Sequence, residues 1–180
     1  MSRIVGGVAG GRRLVLPKGR STRPTADRVR EGLFSSLGGD LSGRSFLDLY
    51  AGSGAVGLEA ASRGAAPVVL VERDAQALAA LRANVSALAL AAVDVRAEPV
   101  LRYLVDGVPL AFDIAFLDPP YADPVDDVLA ALFARGWLAT DAVVVLERAT
   151  RDGAPQWPDG AVTDRSRRYG DSTLWYGRRP

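Results

Sequence analysis

The sequence predicts an α/β domain, a mostly parallel sheet with helices on both faces, preceded by a small β-hairpin. Three observations lead there. From residue 44 onward short apolar runs alternate with segments of helical spacing, most of those runs are apolar on both faces, and a glycine-rich turn follows the first of them.

The elements follow in chain order. "RIVGGVAGGRRLVLP" holds two alternating apolar pieces around paired glycines and predicts the hairpin. "PTADRVREGLFSSL" predicts a helix with Thr25 at its N-cap. "RSFLDLY", "PVVLVE", "AVDVRA", "FDIAFLD" and "AVVVLE" then read as strands. Between them "VGLEAASR", "AQALAALRANVSAL", "EPVLRYLV" and "PVDDVLAALFARG" carry apolar residues at helical spacing. Past Glu147 the turn-rich "TRDGAPQWPDGAV" breaks the alternation, and "STLWYGRR" predicts the last strand of an antiparallel pair.

Composition narrows the chemistry. At 180 residues, 48% hydrophobic and 24% charged, the chain fits one soluble domain with a proper core. It has no cysteine and no histidine. Thiolate nucleophiles, disulfides, Ser-His-Asp triads and His/Cys zinc sites are therefore excluded. The start lacks an apolar leader, and "ALAALRANVSALALAAV" is interrupted by Arg82 and Asn84, so neither a signal peptide nor a membrane span is expected. The net charge of +1 hides an asymmetry. In residues 1–30, eight basic side chains stand against Asp27 alone, leaving +7 there and −6 over the rest. Such a distribution predicts a basic arm, residues 1–22, that meets a polyanion, and a body, residues 23–180, that does the chemistry. The arm and the helix after it offer Arg3, Arg12, Arg13, Lys18, Arg20, Arg23, Thr25, Arg28 and Arg30 as contacts to that polyanion, and Arg167 and Arg168 add a weaker group near the other end.

"DLYAGSGAVGLEA" places Gly52, Gly54 and Gly57 in a G-x-G-x-x-G turn after the first strand, and Glu72 ends the second. Glycines there let the backbone approach a ligand, and an acid after the second strand can accept ribose hydroxyls. The pattern suits a dinucleotide or S-adenosylmethionine (SAM). Asp48 separates them: a carboxylate beside the turn opposes a pyrophosphate but favours a sulfonium and an ammonium. The plainer reading has Asp48 capping the turn and the glycines permitting tight packing.

"FDIAFLDPPYADP" ends an apolar strand with a carboxylate, two prolines and a tyrosine. An exocyclic base amine is a poor nucleophile, because its lone pair is delocalised into the ring. Acceptors on its two N–H groups favour a tetrahedral nitrogen and aim that lone pair. Asp118 and the Pro119 carbonyl supply the acceptors, the prolines stiffen the turn, and Tyr121 offers a stacking face. Without a cysteine, methylation at pyrimidine carbon 5 through a covalent adduct is ruled out, while methylation of an amine survives.

Together "DLYAGSGAVGLEA", "LVERD" and "LDPPY" resemble the Rossmann-like class I SAM-dependent methyltransferases that act on amino groups. With "RIVGGVAGGRRLVLP", "RPTADRVREGLFSSL" and "RRYGDSTLWYG" the chain resembles the RsmD family of bacterial 16S ribosomal RNA guanine-N2 methyltransferases, from Arg3 to about Tyr176. The resemblance implies a seven-stranded sheet, SAM as cofactor and a monomeric cytoplasmic enzyme. Its implied partners are 16S rRNA within the small (30S) subunit and neighbouring ribosomal proteins. It implies cofactor contacts at Asp48, Tyr50, Ala51, Gly52, Ser53, Gly54, Gly57, Glu72, Arg73 and Asp118, with adenine met by Ala97, Glu98 or both. It implies base contacts at Asp118, Pro119, Pro120 and Tyr121. An adenine-N6 methyltransferase, a nicotinamide oxidoreductase and a non-catalytic RNA-binding module are the competing readings.

Overall fold

The computed structural model describes residues 2–17, 24–120 and 125–180, with residues 24–26 by backbone alone. The hairpin pairs β1 (Ser2–Arg3) antiparallel with β2 (Arg13–Leu14), Ser2 opposite Leu14 and Arg3 opposite Arg13. Next come α1 (Pro24–Ser36), β3 (Phe46–Leu49), α2 (Ala55–Ser62), β4 (Val68–Glu72), α3 (Ala75–Leu88), β5 (Val93–Ala97) and α4 (Val100–Asp106). The chain continues with β6 (Phe112–Leu117), α5 (Asp126–Ala134), β7 (Leu138–Ala149), β8 (Val162–Tyr169) and β9 (Ser172–Arg178).

The second sheet has seven strands in the order β5-β4-β3-β6-β7-β9-β8. β3 to β7 pair in parallel, and β9 runs antiparallel to both β7 and β8. Successive strand residues face opposite sides, so each strand feeds two cores. On one side Phe46, Leu70, Phe116 and Val145 pack against α1, α2 and α3 through Leu33, Leu58 and Leu81. On the other, Leu47, Val71, Leu117 and Leu146 pack against α4 and α5 through Leu104 and Leu129. β5 differs: as an edge strand it alternates half-buried valines with exposed Asp94 and Arg96, which pair at 2.7 Å.

From β3 the chain proceeds outward through β4 and β5, then crosses back to put β6 on the other side of β3. That reversal opens a crevice at the carboxyl ends of β3 and β6, where ligands of such sheets bind. The register across the reversal is pinned from the opposite end. Ser45 donates its backbone N–H and its hydroxyl to Asp113 Oδ2 at 2.8 and 2.7 Å, and Asp113 N–H donates to Ser45 Oγ at 2.9 Å. Leu49 is thereby held opposite Leu117, which brings the glycine turn and Asp118 to one edge.

Two expectations change. Helix α1 begins at Pro24, which puts Thr25 inside its first turn rather than at the cap. The basic arm is also no detachable appendage over its described part. Ile4, Ala9 and Leu14 are buried in the same core as α1–α3. Val5 and Gly6 donate their N–H groups to the two oxygens of Glu59 at 2.6 and 2.8 Å, and Ala9 N–H donates to Ser62 Oγ at 2.9 Å. Val15 N–H donates to Asn84 Oδ1 at 2.7 Å, and Asn84 Nδ2 donates back to the Val15 carbonyl at 2.9 Å. Removing this segment would uncover the Glu59 carboxylate and an apolar face, so a truncated body would not stay intact.

Candidate active site

Strand β3 carries Asp48 one residue before its end, and the side chain is 1% exposed. Its Oδ2 accepts the Gly57 N–H at 2.8 Å. Burial pushes the carboxyl pKa up to about 7, the Gly57 bond opposes that rise, and the charge of Glu72 adds to it. Near neutral pH this acid is poised between its two forms, and a cation brought beside it would draw it into the ionised one. A phosphate would do the reverse.

After Leu49 the chain turns sharply. Tyr50 takes φ 69°, an outlier for an aromatic residue of the kind found where a turn is held over a binding site. Gly52 follows at φ 58°. Glu72, at the end of β4, organises this turn from below: its Oε2 accepts Gly52 N–H at 2.7 Å, and its Oε1 accepts the N–H groups of Arg73 and Asp74 at 2.7 and 2.8 Å. Asp74 in turn caps α3 by accepting Ala77 N–H at 2.8 Å. Buried Asn84 on α3 donates to the Ser53 carbonyl at 2.9 Å, so one side chain ties the glycine turn to the hairpin.

Across the crevice, β6 ends at Leu117 and Asp118 follows, exposed at the cavity edge, with Pro119 and Pro120 after it. These residues share one cavity of about 1630 Å³ with Asp48, Tyr50 and Glu72, and Glu147, Arg168 and Ser172 form its far wall. A smaller cavity of about 190 Å³ adjoins it and is lined by Asp118, Pro119, Glu147 and Ser172 among others. The arrangement is acidic where a cation would sit and rich in acceptors where a donor group would enter.

A profile of the family described as conserved hypothetical protein 95 matches residues 2–178. The chain is 37% identical over 158 residues to ribosomal RNA small subunit methyltransferase D of Escherichia coli strain K12, covering 87% of this chain and 79% of that one. The chain belongs to the RsmD family. It is also 34% identical over 172 residues to YlbH of Bacillus subtilis strain 168, covering 93% of this chain and 94% of the relative. Among solved structures, the yhhF protein of Escherichia coli superposes with a TM-score of 0.88 at 32% identity, covering 98% of this chain and 97% of that one.

In this RsmD-family chain the expected site residues divide. Asp48, Tyr50, Ala51, Gly52, Ser53, Glu72, Arg73, Asp118, Pro119 and Pro120 line the cavity together. Gly54 and Gly57 do not. A Cβ on Gly54 would collide with Leu81, and one on Gly57 with Leu70, so these two glycines let α2 and α3 close onto the sheet. Ala97 and Glu98 also miss the cavity; the chain beyond β5 lines it with Pro99, Val100 and Leu101 instead. Glu72 has less spare capacity than the pattern suggested, because three backbone N–H groups already occupy its oxygens. Tyr121, Lys18, Arg20 and Arg23 lie outside the described residues, as does the side chain of Thr25.

The arginines divide too. Arg30 is 5% exposed and spent within the protein: it donates to Ser2 Oγ, to the Arg3 carbonyl at 2.7 Å and to Asp27 at 3.1 Å, and it lies 3.8 Å from Glu59. These contacts tie α1 to the hairpin and to α2, and Arg30 also lines the large cavity. Arg12 donates to the Ala87 carbonyl at 2.7 Å and clamps the hairpin to α3. Arg3, Arg13, Arg28, Arg167 and Arg168 are exposed, and Arg3 and Arg13 stand directly opposite each other. Like charges in that relation repel, and a polyanion would relieve them. Residues that sequence reasoning missed include Asn84, Ser172 and Glu147. For Glu147 the signal was present, since "VVVLE" repeats the apolar run ending in an acid that marks Glu72 in "VVLVE".

Proposed function

We propose that this protein uses SAM to methylate the exocyclic N2 amine of a guanine in 16S ribosomal RNA, presented on the small subunit in the cytoplasm. One observation carries the reading: Asp118 and Pro119 line the same cavity as the buried acid and glycine turn of β3. The donor set fits SAM. Asp48 is buried, has no cationic partner among the described residues and has its pKa raised, as suits a group that awaits a positive charge. Tyr50 to Ser53 and the end of β4 would hold the methionine and ribose portions, with Glu72 acting mainly by shaping the turn.

SAM, when bound, supplies a methyl group already activated on sulfur. The chain's own work is to place and polarise the acceptor. Asp118 accepts one N–H of the amine and the Pro119 carbonyl the other, which localises the nitrogen lone pair, and Asp118 is the nearest base for the proton released. The prolines have no N–H to compete for these acceptors. Exposed Arg3, Arg13, Arg28, Arg167 and Arg168 contribute phosphate contacts, and the names of the ribosomal RNA methyltransferases among its relatives support that substrate.

The test is methyl transfer from labelled SAM to small subunits lacking the modification, with the product nucleoside identified by mass spectrometry. N2-methylguanosine is expected. Methylation only of adenosine would replace the guanine assignment, and saturable RNA binding without SAM binding would make the chain a binding module.

A further inference from the structure

Strands β6 and β7 are parallel neighbours with Leu117 opposite Leu146. The next residues, Asp118 and Glu147, therefore stand side by side at the carboxyl edge of the sheet, and both line the large cavity and the smaller one beside it. Two carboxylates so placed repel each other unless something between them donates hydrogen bonds. The reaction accounts for Asp118 alone.

Glu147 is half-buried and takes a hydrogen bond from the Ser172 side chain, and burial pushes its pKa above the ordinary carboxylate range. An ionised carboxylate offers about four acceptor positions, so one hydroxyl leaves capacity on the cavity side. A group of this kind, short of water and next to the amine's acceptor, matches a second donor on the same substrate. Guanine has one. Its N1–H adjoins the N2 amine on a single edge of the ring, so a guanine that offers its amine to Asp118 offers N1–H to the neighbouring position. In adenine and 2-aminopurine the N1 atom is a bare acceptor, which an ionised carboxylate repels.

We infer that Glu147 accepts the N1–H of the target guanine and thereby selects guanine over purines with an unprotonated N1. The inference rests on the methyl-transfer reading above and deepens it. Selection works by attraction and by rejection together: the correct base satisfies the carboxylate, and the wrong one sets a lone pair against it.

The test uses 2-aminopurine, which keeps the N2 amine but lacks N1–H. Small subunits are reconstituted with 16S RNA carrying either guanosine or 2-aminopurine riboside at the methylated position, itself located by mass spectrometry, and kcat/KM is measured for the full-length wild type, Glu147→Gln and Glu147→Asp. Sites built around a substrate N–H can reject analogues lacking it by about 10,000-fold; for a half-buried group we expect about 100-fold in the wild type. Glu147→Gln, whose amide can donate to a bare N1, should lower guanine methylation about 10- to 100-fold and bring the two substrates within about tenfold of each other. Glu147→Asp should keep the wild-type direction of preference, and SAM affinity should stay within about twofold in both variants. A merely structural Glu147 would depress both substrates in proportion, and an unchanged ratio in Glu147→Gln would overturn the inference. Should Glu147→Gln not fold, the wild type still decides, because equal use of the two substrates overturns it as well. A wild type that binds SAM but methylates no guanine defeats the methyl-transfer reading, and this inference with it.

Discussion

The two halves of the crevice use their acids differently. Around the glycine turn, carboxylates are committed to the protein's own N–H groups: Asp48 to Gly57, Glu72 to Gly52, Arg73 and Asp74, and Glu59 to Val5 and Gly6. Across from it, Asp118 and Glu147 reach the same cavity from the ends of adjacent strands. One half is a scaffold whose acids fix backbone. The other places two carboxylates side by side on the wall of the cavity. Removing an acid from the first should be felt as lost stability or cofactor affinity, and from the second as lost turnover or selectivity.

The largest effect is expected from Glu59→Ala, which would leave the guanidinium groups of Arg30 and Arg63 and two N–H groups of the hairpin without their carboxylate. Breaking a buried pair of this kind costs about 3–5 kcal/mol, to be read from urea unfolding. A loss under about 1 kcal/mol would deny the scaffold role. Asp118→Ala comes next. It should reduce methyl transfer about 100- to 1,000-fold while SAM titration stays close to native, and near-native turnover would remove Asp118 from the chemistry.

Asp48 yields a pH prediction that joins the halves. Its folded pKa, about 7, lies above the ordinary 3.8, so the folded apo protein holds a proton that the unfolded chain releases. Its contribution to stability is therefore present at low pH and declines as pH rises from about 4 to about 7. A cationic cofactor prefers the ionised form, so SAM affinity should climb by up to about tenfold per pH unit below 7 and level off above it. In Asp48→Asn both dependences should flatten, which calorimetry across a pH series would show. The smallest effect belongs to Arg13→Ala: RNA affinity should fall a few-fold, and the salt dependence should lose about 0.7–0.9 of its log–log slope, if that side chain meets one phosphate.

Much of this was legible in the sequence, because strand and helix periods differ and each apolar run had one clear period. The 75–88 helix matches its reading residue for residue, and the strands that hold Asp48 and Glu72 and the one that ends just before Asp118 fall where the apolar runs placed them. The division among the glycines was not legible. Gly52, Gly54 and Gly57 share one motif, and only the positions of Leu81 and Leu70 tell a cavity-lining glycine from two that admit a helix. Nor was the docking of the hairpin. Glu59, Ser62 and Asn84 look like solvated helix positions until residues fifty to seventy places earlier cover them. Charge counting saw Arg30 as part of a basic arm; burial against Ser2 and Glu59 could be seen only in three dimensions.

The order of the last three strands dictates how the sheet must be assembled. β8 leaves the ribosome before β9, yet it touches the sheet only through β9, which lies between it and β7. It has no strand to pair with until its successor exists. The two must zip together as a local hairpin across Gly170 and Asp171, a step of short sequence separation and hence quick, or β9 must first find β7 and then recruit β8 backward. By either route Arg167 and Arg168 reach position only after the Rossmann-like core has formed, so a nascent chain can complete the crevice around the glycine turn well before it carries this arginine-bearing edge.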